Sequence, residues 1–79
     1  MDNLIKYNQI FMDSFSLKEE ELEGNPTMEA VELWDSVGHV NLVATVEDTF
    51  GIEMTIEEMS DFVSYAKGLD ILRGYGIEI

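Results

Sequence analysis

The chain has 79 residues, of which 46% are hydrophobic and none is cysteine, so we expect one small domain without disulfides or thiolate metal sites. Seventeen acidic and four basic side chains give a net charge of -13 at pH 7, which argues against nucleic acid and anionic membranes as partners. No apolar run approaches the roughly 20 residues that span a bilayer, and the start does not resemble a signal peptide. We expect a discrete, monomeric, cytoplasmic protein with a native Met1.

The sequence pattern of the first part of the chain predicts one helix, followed by a long loop. Apolar residues recur at helical spacing over residues 2–14. The following stretch, residues 16–35, contains the turn signal Gly-Asn-Pro-Thr at residues 24–27, and we expect one helical turn at residues 28–33. Apolar residues spaced along this loop are expected to anchor it on the core: Leu17, Leu22, Met28, Val31, Leu33 and Trp34.

The strongest helical pattern covers residues 36–50 and ends at Gly51, a residue suited to the left-handed position after a helix. We expect a stripe of apolar side chains along this helix to be buried. The stripe consists of Val37, Val40, Val43, Val46 and Phe50.

Two shorter helices are predicted in the rest of the chain. Thr55 and Glu58 form a capping box that begins a helix over residues 56–61. Ser64 begins a last helix over residues 65–73, which glycines end. The order of elements is therefore helix, long loop, helix, short helix, helix, which predicts an all-α fold.

Ser36 is the residue whose position in this sequence most clearly suggests a chemical role. It stands at the start of the longest predicted helix, where backbone N–H groups and the helix dipole favour a phosphate group. In a small acidic chain, such a serine is expected to carry a group rather than to attack a substrate. Its ordinary structural role would be an N-cap, a role that Asp35 can fill equally well.

His39, the single histidine, lies three residues after Ser36 and shares a helix face with it. A Ser–His pair without an oriented base, an oxyanion hole and a cleft does not make a hydrolase, so we predict no catalytic residue. We expect His39 to be solvated on a surface that faces partners. The acid clusters, such as residues 19–21, lack the spacing of a calcium loop, so no metal site is predicted.

The chain resembles the acyl carrier protein family at residues 33–43 (LWDSVGHVNLV) and at residues 47–52 (EDTFGI). In that family an Asp-Ser-hydrophobic motif opens the second of four helices. A Phe-Gly-Ile-type ending, followed by a Glu–hydrophobic pair (here Glu53 and Met54), closes the segment. The resemblance covers nearly the whole chain. It implies a four-helix bundle of acyl-carrier type with a long first loop and a short third helix.

The resemblance also implies a function without catalysis. Ser36 would receive 4′-phosphopantetheine from coenzyme A through a magnesium-dependent phosphopantetheinyl transferase, and Asp35 would help to position it. The thiol of the arm would carry an acyl group as a thioester, loaded by an acyl- or aminoacyl-loading ligase. Acyltransferase or synthase enzymes with basic patches would then receive this cargo.

Two further sets of residues follow from the resemblance. The partner-binding residues would be Val37, His39, Val40, Asn41, Glu47, Asp48 and Glu53. The cargo-lining residues would be Val40, Val43, Val46, Met54, Phe62 and Leu69. The simpler role of the second set is to form the core, and the two roles are compatible.

The sequence departs from fatty-acid-type carriers at Gly38 and Asn41, where those carriers usually have acids. We therefore expect a dedicated carrier of a specialised pathway, such as polyketide, surface-polysaccharide or aminoacyl loading, rather than the general carrier of fatty acid biosynthesis. Two alternatives stay open. One is an aminoacyl or peptidyl carrier, and the other is a non-carrier acidic helical module that binds proteins and tolerates Ser36→Ala.

The charge of the chain predicts how salt affects its partners. Because the chain carries a net charge of -13, its complexes with enzymes that present basic patches should weaken as ions screen both surfaces. The affinity for a phosphopantetheinyl transferase, measured between about 0.05 and about 0.5 M salt, should fall steadily. An affinity that does not change with salt would contradict electrostatic docking.

Overall fold

The computed structural model describes residues 2–79, and Met1, expected above to be the native start, lies outside them. Between residues 2 and 79 the chain forms five helices and no β-strand, which confirms the expected all-α class. The helices are α1 (Asn3–Phe15), α2 (Glu19–Leu22), α3 (Ser36–Phe50), α4 (Ile56–Asp61) and α5 (Tyr65–Gly74). None of these five is both long and apolar enough to cross a membrane.

Helix α1 lies one residue later at each end than the predicted range of 2–14. Its N-cap, Asp2, accepts a hydrogen bond from the backbone N–H of Leu4 at 2.9 Å. Ser16 ends the helix in the left-handed region with a φ of 54°, and its N–H donates to the carbonyl of Met12. The residues of α1 that are buried in the core are Tyr7, Ile10, Phe11 and Phe15.

Helix α2 is a single turn inside the segment that was predicted to be loop. A carboxylate oxygen of Glu21 accepts a hydrogen bond from the backbone N–H of Lys18 at 2.8 Å and stabilises this turn. Its one buried apolar residue is Leu22. The helix was not predicted because one turn with one apolar residue has no repeat that periodicity could detect.

The predicted anchors of the long loop lie mostly where expected. Leu22 and Trp34 are buried, and Leu17, Met28 and Val31 pack partly buried against the core. Leu33 is 51% exposed, so its prediction as an anchor is wrong. Its carbonyl, and not its side chain, lies against α3.

Backbone hydrogen bonds hold the loop against the connection between α4 and α5. The N–H of Met28 donates to the carbonyl of Val63 at 2.8 Å, and the N–H of Tyr65 donates to the carbonyl of Pro26 at 2.9 Å. The side-chain oxygen of Asn25 also accepts a hydrogen bond from the backbone N–H of Ala66 at 2.9 Å. These contacts satisfy polar backbone groups of the loop and fix it to the last helix.

Helix α3 has the predicted bounds, and Gly51 ends it with a φ of 66°, in the left-handed region. The residues that follow are irregular and lead to Met54, which is buried. A carboxylate oxygen of Glu47 accepts a hydrogen bond from the N–H of Met54 at 2.8 Å. This hydrogen bond turns the chain back from the end of α3 toward α4.

The predicted buried stripe along α3 is wrong in its first half. Val37 and Val40 are 70% and 65% exposed, whereas Val43 and Val46 are buried. The valines repeat every three residues, but an α-helix turns once in 3.6 residues. Val37 and Val46 are therefore about two and a half turns apart and lie on opposite faces of the helix. In the first turn of α3, the residue that faces the core is His39 and not a valine of the predicted stripe.

Helices α4 and α5 begin as predicted. In the capping box, the N–H of Glu58 donates to the hydroxyl of Thr55 at 3.1 Å, and a carboxylate oxygen of Glu58 accepts from the N–H of Thr55 at 2.9 Å. The hydroxyl of Ser64 accepts from the N–H of Lys67 at 3.1 Å and begins α5. Helix α5 ends one residue later than predicted, at Gly74.

One hydrophobic core joins these helices. The ring of Phe11 lies at its centre, with its centroid 5.0 to 6.2 Å from the centroids of Tyr7, Phe15, Trp34, Phe62 and Tyr65. The hydroxyl of Tyr7 donates to the carbonyl of Tyr65 at 2.8 Å, and burial raises the pKa of Tyr7 well above its usual range. The other buried residues are Ile10, Leu22, Leu42, Val43, Val46, Met54 and Leu72.

Gly68 lies inside α5 because that position has no room for a side chain. A Cβ atom there would overlap the hydroxyl of Tyr7 and the ring of Phe62, and both side chains are buried. The glycine costs helix propensity, but it lets α5 pack closely on α1.

Gly68→Ala is predicted to lower the free energy of unfolding by about 1–3 kcal/mol, because the added methyl group overpacks the core. Gly74→Ala is the matched control, since no atom lies within 4 Å of its Cβ position. That control should leave the stability unchanged or raise it by up to about 1 kcal/mol. Urea unfolding followed by far-UV circular dichroism measures both, and equal stabilities for the two variants would contradict the packing argument.

Candidate functional site

Ser36 is the first residue of α3, and its side chain is exposed. The preceding residue, Asp35, is the N-cap, and its carboxylate accepts a hydrogen bond from the N–H of Gly38 at 2.8 Å. The carbonyl of Asp35 accepts from the N–H of His39 at 2.8 Å. Because Asp35 fills the capping role, the hydroxyl of Ser36 has no hydrogen-bond partner among residues 2–79 and points into solvent.

The start of α3 depends on Gly38. A Cβ atom at this position would overlap the carbonyl oxygen of Leu33, and it would also lie 3.4 Å from the ring of Phe15. Glycine therefore lets the chain before the helix pass directly over its first turn. This close approach explains a residue that lowers helix propensity beside the candidate site.

His39 is not the solvated residue that the sequence suggested. It is half-buried, and both ring nitrogens have partners. Nδ1 accepts a hydrogen bond from Nε1 of Trp34 at 3.0 Å, and Nε2 lies 2.8 Å from the carbonyl oxygen of Met59. An indole N–H can only donate and a carbonyl can only accept, so the geometry assigns the neutral tautomer that carries its proton on Nε2. The prediction failed because spacing alone could not locate these partners.

We call the three groups joined in this way, Trp34, His39 and the carbonyl of Met59, the Trp34–His39 link. The indole ring of Trp34 is stacked on the ring of Phe15, and the imidazole of His39 lies at its N–H edge, nearly parallel to it. The indole lies 5.1 Å from the ring of Phe15 and 6.2 Å from that of His39, with interplanar angles of 17° and 20°. The ring of Phe62 approaches the imidazole edge-on at 6.3 Å. The link therefore connects the start of α3 to α1, to the long loop and to α4.

The predicted partner-binding residues fall into two groups. Val37, Val40 and Asn41 are exposed and lie within one turn of each other on the outer face of α3, and Asp48 is exposed farther along the helix. His39 faces inward, and the carboxylate of Glu47 is bonded to the chain after the helix. Glu53 is exposed.

The predicted cargo-lining residues do not share one surface. Val43, Val46, Met54 and Phe62 are buried in the core, and each has at most 5% of its surface exposed. Leu69 is half-buried and contributes to a separate recess between α1, α2 and α5, whereas Val40 faces solvent. The four buried residues of this set therefore form part of the hydrophobic core.

Two residues of this region were absent from the predicted site. Trp34 was predicted only as a loop anchor, and Met59 contributes through its backbone. The single tryptophan and the single histidine are five residues apart in the sequence, with a glycine between them. This spacing was the one feature of the sequence that could have indicated a contact between the two side chains. Sequence spacing could not indicate the third partner, which lies 20 residues after His39.

A second polar contact holds the C-terminal segment against α4, away from Ser36. The hydroxyl of Tyr75 lies 2.8 Å from the carbonyl of Glu53 and also hydrogen-bonds the carboxylate of Glu58. This contact and the capping hydrogen bonds of Thr55 lower the pKa of Glu58. The same carboxylate raises the pKa of Tyr75 to about 12. The contact is therefore strongest at neutral pH, where the acid is charged and the phenol is protonated.

Among residues 2–79, no three histidine or acidic side chains are grouped closely enough to hold a metal ion. The chain matches none of the protein-family models scanned, and a search of curated proteins gave no match. The function of the chain is therefore inferred from Ser36 and its surroundings.

His39→Ala is predicted to lower the free energy of unfolding by about 1–3 kcal/mol, because it leaves the indole N–H of Trp34 and the carbonyl of Met59 without partners. His39→Gln should lose less than half as much, since its amide oxygen can accept from Trp34 and its amide nitrogen can donate to Met59. Urea unfolding followed by the fluorescence of Trp34 measures both variants. Equal losses for alanine and glutamine would show that the hydrogen bonds of the link do not stabilise the fold.

Proposed function

We propose that this chain is a carrier protein of the acyl carrier type, with 4′-phosphopantetheine attached to Ser36. The observation that carries the proposal is the position of Ser36. It is exposed, it opens the longest helix, and the neighbouring Asp35 takes the capping role that would otherwise engage a serine. A serine placed in this way is available to a modifying enzyme and is not needed for the fold.

The start of α3 suits a phosphodiester. The carboxylate of Asp35 occupies the N–H of Gly38, while the N–H groups of Ser36 and Val37 have no acceptor among the described residues. Such donors, together with the helix dipole, stabilise a phosphate. When attached, the arm supplies a thiol on which an acyl group is held as a thioester. This chain holds the arm at an exposed, rigid point, from which the cargo reaches partner sites at a high effective concentration.

The helices are consistent with an acyl-carrier bundle. In this proposal α1, α3, α4 and α5 correspond to the four helices of the family, and α2 is a single turn within the long first loop. Helix α4, which has 6 residues, would be the short third helix.

The partners of the carrier would contact the outer face of α3. Val37, Val40 and Asn41 lie there beside Ser36, and Asp35 and Asp48 are exposed on the same helix. A phosphopantetheinyl transferase, a loading ligase and the receiving enzymes would each present an apolar hollow bordered by basic side chains. Fewer acids lie on this face than in fatty-acid-type carriers, which favours a carrier dedicated to a specialised pathway.

A non-carrier interaction module is the second candidate. The observation that favours it is the exposure of Val37 and Val40, at 70% and 65%, on a helix whose opposite face is buried. Two adjacent exposed valines would serve a module that binds another protein as well as they would serve a carrier. The modification of Ser36 separates the two candidates.

The test is the intact mass of the purified protein after incubation with coenzyme A, magnesium and a permissive phosphopantetheinyl transferase. The wild type should gain the mass of one phosphopantetheine, and Ser36→Ala should not. Ser60→Ala, which removes another exposed helical serine, is the matched control and should be modified like the wild type. If folded wild-type protein gains no mass with several transferases, the carrier proposal is wrong and the interaction module is favoured.

A further inference from the structure

We propose that the group carried on Ser36 stays at the surface of the protein, and that the cargo is a short or polar acyl or aminoacyl group rather than a long alkyl chain. This inference rests on the proposed function and specifies its substrate class. It follows from three features of the structure: the filling of the core, the hydrogen bond that joins α3 to α4, and the two carboxylates that line a recess beside Leu33.

The interior beside α3 is filled by large side chains. Trp34 is 2% exposed, and Phe62, Leu42 and Val46 are completely buried. Protein interiors are close-packed, so a long alkyl chain could enter only by displacing side chains from their positions. In this chain the displaced groups would include aromatic rings packed against one another.

The route from Ser36 into this interior is closed by the Trp34–His39 link. His39 lies one turn after Ser36 on the core side of α3, and its ring contacts the indole of Trp34 and the carbonyl of Met59 at the end of α4. A chain passing between α3 and α4 at this end would break the hydrogen bond between His39 and the carbonyl of Met59. It would leave that carbonyl and the Nε2–H group of His39 without partners, which opposes entry.

A recess with a volume of about 410 Å³ includes in its wall Leu33, which lies three residues before Ser36. Two carboxylates, those of Glu21 and Glu32, line it among apolar residues, which are Phe15, Leu17, Pro26, Ala30, Val31 and Leu33. An alkyl chain laid there would remove water from the two carboxylates, whereas an ammonium group, such as that of an aminoacyl cargo, would be attracted to them.

The test uses the absence of cysteine from the sequence. In Ser36→Cys the new thiol is unique, and it reacts with alkyl methanethiosulfonates to form a mixed disulfide and release methanesulfinate. A series of ethyl, butyl, octyl, dodecyl and hexadecyl reagents then places chains of increasing length at position 36. The same series on Ser60→Cys, an exposed serine of α4, is the matched control for nonspecific adhesion of the chain.

At every chain length, the urea concentration at the midpoint of unfolding should change by the same amount in the Ser36→Cys series as in the Ser60→Cys series. An alkyl chain at position 36 should therefore add no stability beyond that of a chain at position 60. The methyl NMR signals of Leu42 and Val46 should keep the same positions from ethyl to hexadecyl. If the midpoint rises with chain length at position 36 but not at position 60, or if the core methyl signals move with length, the inference is overturned. Because the thiol is labelled chemically, either outcome is independent of whether a transferase modifies Ser36.

Discussion

The hydrogen bonds of His39 join the first turn of α3 to the long loop on one side and to α4 on the other. On one side the imidazole accepts from Trp34, which is stacked on Phe15 of α1, and on the other side it donates to the carbonyl of Met59 in α4. The first turn of α3 is thereby fixed against three other segments. Without this link, the indole N–H and the carbonyl would be left unpaired, and the helix start that presents Ser36 would lose its support.

The conformation before α3 adds to this constraint. Gly38 allows the carbonyl of Leu33 to cross the first turn, and Asp35 caps the helix from the exposed side. Together these residues leave Ser36 exposed at the start of α3. This arrangement fits a residue that another enzyme modifies, and it explains why the long loop must pack so closely on the core.

The sequence predicted the helices well where local rules determine them. The capping box at Thr55 and Glu58 fixed the start of α4, and the bounds of α3 followed from its periodicity and from Gly51. Helical geometry alone shows that Val37 and Val46 lie on opposite faces of α3, but which of these faces meets the core depends on how the other helices pack. The same is true of His39, whose partners come from the loop and from α4. Tertiary packing, which a single sequence does not encode locally, decided these positions.

A carrier must hold its phosphopantetheine arm on Ser36 in the cells that make it. Peptide mapping by mass spectrometry of the protein isolated from those cells under mild conditions tests this directly. The peptide containing Ser36 should carry the arm, and fragmentation should release a pantetheine group from that residue, with or without a bound acyl or aminoacyl cargo. A Ser36 peptide found only in its unmodified form would contradict the carrier proposal and leave the exposed face of α3 as an interaction surface.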